Sequence, residues 1–269
     1  MEKKKNLPAV VWWMRRQTMK VKVLLVASLM VACLVALKLT VKNHAYFFVA
    51  SELSHAVGLL VLGYKLIRQR TCSGLSLKTQ ELTAIFLVAR FISSTITEKN
   101  IHTVLDLTTL ASTAWVIYMM RVKLKATYAK DLDNFPIYYV VVPSIVLAVL
   151  VHPYVPNARH IEILFAFCVY AEALSVLPQL RLMQNMKMIE PFTAHYVFAL
   201  GVARFMAWAH WIIQTIDTRG AYFYMIGSGS LWFPAIFLAE VVQSFILVDF
   251  CYYYIKSIMG GQLVMTMPV

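Results

Sequence analysis

Charge is scarce in this chain of 269 residues: Asp, Glu, Lys and Arg make up 14% of it, and the acids number only 13. Set against 60% hydrophobic residues and a mean hydropathy of +0.68, that scarcity excludes a soluble globular domain, which runs at about half apolar. The 4 cysteines supply neither a disulfide framework nor a zinc site. Cys33, Cys168 and Cys251 fall in apolar runs and Cys72 in a polar one, without paired spacing. A phosphate-binding glycine loop and a nucleophile elbow are also missing, so a soluble enzyme has no support, and neither a cofactor nor a metal is expected. The apolar runs lack the period-2 alternation of a transmembrane barrel, whose strands are about ten residues long. What these absences leave is an all-α polytopic membrane protein.

What is present agrees. Apolar stretches recur at roughly 23–37, 46–64, 82–97, 103–120, 136–151, 161–180, 193–214 and 230–255, each near the length a bilayer-crossing helix needs. Helix punctuation separates them. Pro136 opens one, Pro153 and Pro156 close it, Asp217 to Gly220 reads as a turn, and Ser230 suits an N-cap. Basic residues alternate across the connections: Lys3, Lys4, Lys5, Arg15, Arg16, Lys20 and Lys22 precede the first stretch. Lys65, Arg68, Arg70, Lys78, Arg121, Lys123, Lys125, Lys130, Arg181, Lys187 and Lys256 follow on the same side, 18 in all. Lys38, Lys42, Lys99, Arg159 and Arg219 are the 5 on the other. Cationic loops stay cytosolic, so both termini are expected in the cytosol. The net charge of +12 then reflects topology, and nucleic acid is not an expected partner. The resulting organisation is a basic N-terminal segment with an extra transmembrane anchor over 1–45, a seven-helix core over 46–260 and a short cytosolic tail over 261–269. The stretch at 23–37 is short unless Lys22 and Lys38 snorkel, and it is read as a retained anchor rather than a cleaved signal.

Two arginines stand inside apolar runs, and both sit in the same tetrapeptide: Val-Ala-Arg-Phe at 88–91 and again at 202–205. Arg90 belongs to the third stretch and Arg204 to the seventh, so the two helices run in the same direction. A parallel duplication of a three-helix unit, with one linker helix between the copies, produces that spacing. A guanidinium at membrane depth costs several kcal/mol unless it faces a partner or a wet cavity, so acids are expected opposite. The acids within or near spans are Glu52, Asp106, Glu162, Glu172, Glu240 and Asp249. Glu162 and Glu172 are ten residues apart, nearly three helical turns, and share a face. Helix packing accounts for Glu52, Asp106, Glu240 and His195.

Strings across about 51–261 carry a resemblance. "LSHAVGLLVLGYKLIRQRTCSGLSLKTQ", "KLKATYAKDLDNF", "IEILFAFCVYAEALSVLPQL", "HYVFALG" and "VDFCYYYIKS" follow in order those of the KDEL (ER lumen protein-retaining) receptor family. The N-terminal extension resembles that of the longer plant receptor-related proteins. The resemblance implies seven helices in two triple-helix bundles joined by a linker, similar to the sweet-type and PQ-loop transporters, with Leu177-Pro178-Gln179-Leu180 in the PQ position. It also implies residence in endoplasmic reticulum and Golgi membranes and pH-dependent binding of the C-terminal peptide of lumenal proteins. Ligand-binding roles fall on His55, Arg90, Glu162, Arg204 and Trp211. Glu172 and Asp249 take charge-pair and switching roles, Glu172 being the expected resting partner of Arg204. The chain departs from the family pattern at Phe48 and Gln214, where the family has arginines. It departs again at Ala203 and Phe91 in place of tyrosines, Phe165 in place of tryptophan, and Ser93 in place of an acid. The tail lacks the family's lysine cluster for the vesicle coat, and Lys3, Lys4 and Lys5 offer an alternative. A small-molecule transporter of the PQ-loop type is the competing function.

Overall fold

A computed structural model describes residues 45–97, 101–154, 158–186, 188–218 and 231–259. The expected anchor over 23–37, the basic leader, the tail over 261–269, Ser230 and the side chain of Phe48 lie outside the described residues. Among those described, the protein is all helical. Helix α1 spans Ala45–Tyr64, α2 Leu77–Thr97, α3 Ile101–Tyr118, α4 Tyr138–Leu150, α5 Arg159–Leu174, α6 Leu177–Asn185, α7 Pro191–Asp217 and α8 Trp232–Met259. Among the described residues, four helical segments can cross a membrane by length and composition: Thr103–Lys123, Arg159–Asn185, Pro191–Asp217 and Trp232–Ile258. Helix α2 is long enough but diluted by Arg90 and by Ser93, Ser94 and Thr95, whose hydroxyls partly fold back onto the backbone: Thr95 donates to the Phe91 carbonyl at 2.6 Å.

Prolines explain two differences from the sequence reading. The stretch expected to be continuous over 161–180 breaks at Ser175 and Val176, between α5 and α6. Pro178 lacks the N–H that would bond the Leu174 carbonyl, and its ring crowds that position; it sits in the first turn of α6 instead. The stretch over 136–151 contracts to the 13 residues of α4. Val151 turns extended (φ −132°, ψ 102°), and Pro153 disfavours helical geometry at the preceding His152.

Helix α2 lies along α3, α7 along α8, and α4 along α5. Between the units, α2 packs on α5, and α1 meets α7 where Ser51 Oγ donates to the Ala203 carbonyl at 2.8 Å. Each interface joins the second helix of one three-helix set to the first helix of the other. Small residues allow the close approaches. A Cβ on Gly58 would come 3.2 Å from Ala199 Cβ, and one on Gly201 would come 2.5 Å from Cys251 Sγ.

A polar lattice closes one end of the helices. Helices α1 and α3 both finish in π-helical turns, Lys65–Gln69 and Met119–Lys123. The first turn carries Lys65 inward to 0% exposure. There its ammonium donates to the Ser73 carbonyl and to Thr193 Oγ1, and pairs with Glu190 at 2.7 Å. Burial pushes the lysine below its ordinary pKa, and the Glu190 carboxylate works against that shift. Gln179 is equally buried, accepting from the Ser76 N–H at 2.9 Å and donating to the Gly74 carbonyl at 2.7 Å. Asp133 accepts from Ser76 Oγ at 2.8 Å and from the Tyr128 hydroxyl at 2.6 Å. The segment between α1 and α2 is thereby fastened to α6, α7 and the residues before α4.

Candidate functional site: a charged cavity between the two units

A cavity of about 370 Å³ opens between α1, α2, α3, α5, α7 and α8. Its charge centre is Glu172, in the last turn of α5. Arg90 NH1, from α2, lies 3.2 Å from Glu172 Oε2, and Arg204 NH2, from α7, donates to Oε1. The two arginines of the repeated tetrapeptide therefore meet on one carboxylate. Arg90 also donates from Nε to Asp106 Oδ1 on α3 at 2.8 Å, and its guanidinium lies 5.9 Å from the centre of the Phe86 ring. The Glu172 backbone is held as firmly. The helix break three residues later leaves its carbonyl to accept from Ser175 Oγ at 2.8 Å and from Gln243 Nε2 at 3.2 Å.

His55 on α1 and Trp211 on α7 line the same cavity, the indole tilted against Phe233 with ring centres 6.0 Å apart. Glu162, expected in the ligand set, stands outside the lining. It is 7% exposed in the first turn of α5, and its Oε1 has no hydrogen-bond partner among the described residues. Ten residues is a 1000° rotation, about 80° short of three turns, and this separates Glu162 from Glu172 around the helix as well as along it. Asp249 lies exposed on the outer side of α8, away from the cavity. On that helix, Gln243 and Leu247 face inward instead.

The structure adds residues that sequence reasoning assigned to packing or passed over. Asp106 is a full ion-pair partner of Arg90, and Glu240 and His210 line the cavity. Gln80 donates to the Tyr196 hydroxyl at 3.2 Å, linking α2 to α7 in the cavity wall. One signal for Asp106 was available. Arg90 lies seven residues before the end of α2 and Asp106 five after the start of α3, matched depths in neighbouring antiparallel helices. Among the described residues no group of three His, Cys, Asp or Glu side chains could hold a metal ion.

The family model for the ER lumen protein retaining receptor matches residues 71–214. Similar proteins include an ER lumen protein-retaining receptor of Caenorhabditis elegans, 31% identical over 225 residues, or 83% of this chain and 99% of that protein. One from Drosophila melanogaster is 33% identical over 217 residues, 80% of this chain and 96% of the other. One from Petunia hybrida is 30% identical over 214 residues, 78% and 94% respectively. The matched stretch begins in the segment between α1 and α2, ends three residues before the end of α7, and includes both arginines.

Proposed function

We infer that this chain, which belongs to the ER lumen protein-retaining receptor family, is a membrane receptor of the early secretory pathway that binds the C-terminal retention signal of lumenal proteins in the cavity around Glu172. The observation that carries this reading is the convergence of Arg90 and Arg204, one from each three-helix unit, on a single internal carboxylate. Glu172 occupies the position that a ligand carboxylate would compete for, because a guanidinium prefers planar, paired contacts with carboxylates. Arg204 spends only NH2 on Glu172 among the described residues, leaving Nε and NH1 for a bound anion. Trp211 provides an apolar wall for a terminal side chain. His55, lining the same cavity, adds positive charge when protonated, so a carboxylate ligand binds more tightly as pH falls from the neutral endoplasmic reticulum toward the more acidic Golgi. Retrieval from Golgi to endoplasmic reticulum follows from that difference. The topology belonging to this reading puts the Lys65 lattice and both termini in the cytosol and opens the cavity to the lumen. Coat recruitment would then use cytosolic segments of the chain.

The packing of two like units around a central cavity also suits alternating access, the transporter reading, and one assay separates the two. Purified protein in detergent is titrated, at several pH values between about 5 and 7.5, with peptides ending in Lys-Asp-Glu-Leu, with the same peptides amidated at the C-terminus, and with sugars. Saturable binding of the free-acid peptide is expected, strengthening toward acid, lost on amidation and weakened by Arg204→Gln roughly 10- to 100-fold, as for a lost charge-assisted hydrogen bond. Binding of sugars in place of carboxylate peptides would overturn the receptor reading.

A further inference from the structure

A second cavity, of about 720 Å³, forms a groove between α1 and α3. Exposed apolar side chains make its rim, Leu60 and Ile67 on one side and Leu105 and Trp115 on the other, so it opens on the surface that faces the bilayer. Among the described residues, no Asp, Glu, Lys or Arg lines it. The hydroxyls of Thr108, Thr109 and Ser112 donate to the carbonyls of Val104, Leu105 and Thr108 at 2.8, 2.9 and 2.8 Å, and are thereby spent on their own helix. Part of the α1 wall is bare backbone: a Cβ added to Gly63 would meet no atom within 4 Å. Glycine weakens a helix, and no protein contact here requires it. From Tyr64 to His55 the α1 lining runs about 14 Å at 1.5 Å per residue, or roughly one leaflet of a 30 Å hydrocarbon core.

We propose that this groove binds a membrane sterol. The molecule that fits is flat, rigid and uncharged, reaches across one leaflet, and carries a single hydroxyl at its interfacial end. A rigid ring system loses less freedom on ordering than an acyl chain does, and it lies flush against a wall that carries no Cβ. The sequence along the rim agrees: Leu62, Tyr64 and Arg68 follow the Leu-x-Tyr-x-x-x-Arg form of a spacing associated with sterol contact. That spacing discriminates weakly by itself, and the groove beside it is the independent observation. Tyr64 and Arg68 are exposed where α1 passes into its π-helical turn, so the sterol hydroxyl belongs at that end. His55, Leu59 and Thr109 line both this groove and the charged cavity, so a bound sterol bears on a wall that the two share. The sterol site itself does not rest on the peptide reading.

The test places the full chain in phosphatidylcholine nanodiscs and compares two photoreactive probes, a diazirine cholesterol and a phosphatidylcholine with the diazirine on an acyl chain. The sterol is expected to label residues around Gly63 and from Leu105 to Trp115, and excess unlabelled cholesterol should displace it. Gly63→Phe fills the open space beside the glycine and should lower this labelling about 10-fold. Leu238→Phe, at an exposed position of α8 outside the groove, should leave it unchanged. Should Gly63→Phe fail to fold, Leu105→Trp fills the groove from α3 and is expected to give the same loss. Sterol labelling spread evenly over the exposed helix faces, or unchanged in the filled variants, overturns the proposal. Equal labelling of the groove by the phospholipid probe also overturns it, as does absence of labelling by either probe, the result if protein covers the groove.

Discussion

Replacing Glu172 by Gln keeps the volume of the side chain and removes the charge on which both units converge. Arg90 retains Asp106 at 2.8 Å, so its loss is partial. Arg204 keeps no ion pair among the described residues, with only Glu240 nearby across the cavity. Removing one partner of a buried pair costs about 3–5 kcal/mol. The arginine side chains here are 29% and 26% exposed to the cavity, which lets water recover part of that cost, and the expected loss is about 2–4 kcal/mol. For a chain of this size each kcal/mol lowers the melting temperature by about 2–4 °C, so Glu172→Gln should melt roughly 5–15 °C below the parent in detergent. The matching measurement is the double variant Glu172→Gln with Arg204→Gln. It should recover part of the loss, because no guanidinium is then left without a counter-ion. Glu240→Gln serves as the comparison and should melt close to the parent, since no partner is lost. If Glu172→Gln melts within about 2 °C of the parent, or the double variant is worse than the sum of the singles, the shared carboxylate does not hold the two units together.

Glu190→Gln leaves the Lys65 ammonium buried without its anion. Because Glu190 is itself 37% exposed, the expected loss is about 2–3 kcal/mol, partly restored in Lys65→Met with Glu190→Gln, and denaturant titration of the three proteins reads it. Gly201→Ala drives a methyl to 2.5 Å from Cys251 Sγ and should cost about 1–3 kcal/mol, with Cys251→Ala in the same chain relieving most of it; melting curves decide, and an unrelieved double variant would place the strain elsewhere. His55→Ala should flatten the pH dependence of peptide affinity across about pH 5 to 7.5. An unchanged profile makes His55 a wall residue with no part in acid-triggered binding.

Much of the architecture is legible in one dimension because membrane helices are written as long apolar runs. The boundaries of α3, α7 and α8 fall close to stretches visible in the sequence, and the two arginines stand out because nothing nearby dilutes their cost. Partners are harder to read. Glu162 and Glu172 look equivalent as acids on one helix, yet only Glu172 reaches the cavity, since which part of a helix meets its neighbours depends on where those neighbours pack. Lys65 counts among the loop cations by position. A single π-helical turn, however, rotates its ammonium, fully buried, onto Thr193 and Glu190, more than a hundred residues away.

Composition and periodicity determined by themselves that this chain is helical and membrane-embedded, and that Arg90 and Arg204 stand inside apolar runs of helices that point the same way, because burying a backbone in lipid leaves few solutions and each leaves a long local trace. Only the tertiary structure decided that Glu172 serves both arginines, that Asp106 belongs to Arg90, and that Glu240 is left over. Those assignments depend on the rotation and depth of helices separated by tens of residues, and a few ångströms or a quarter turn exchange one partner for another without altering the apolar pattern that made the helices.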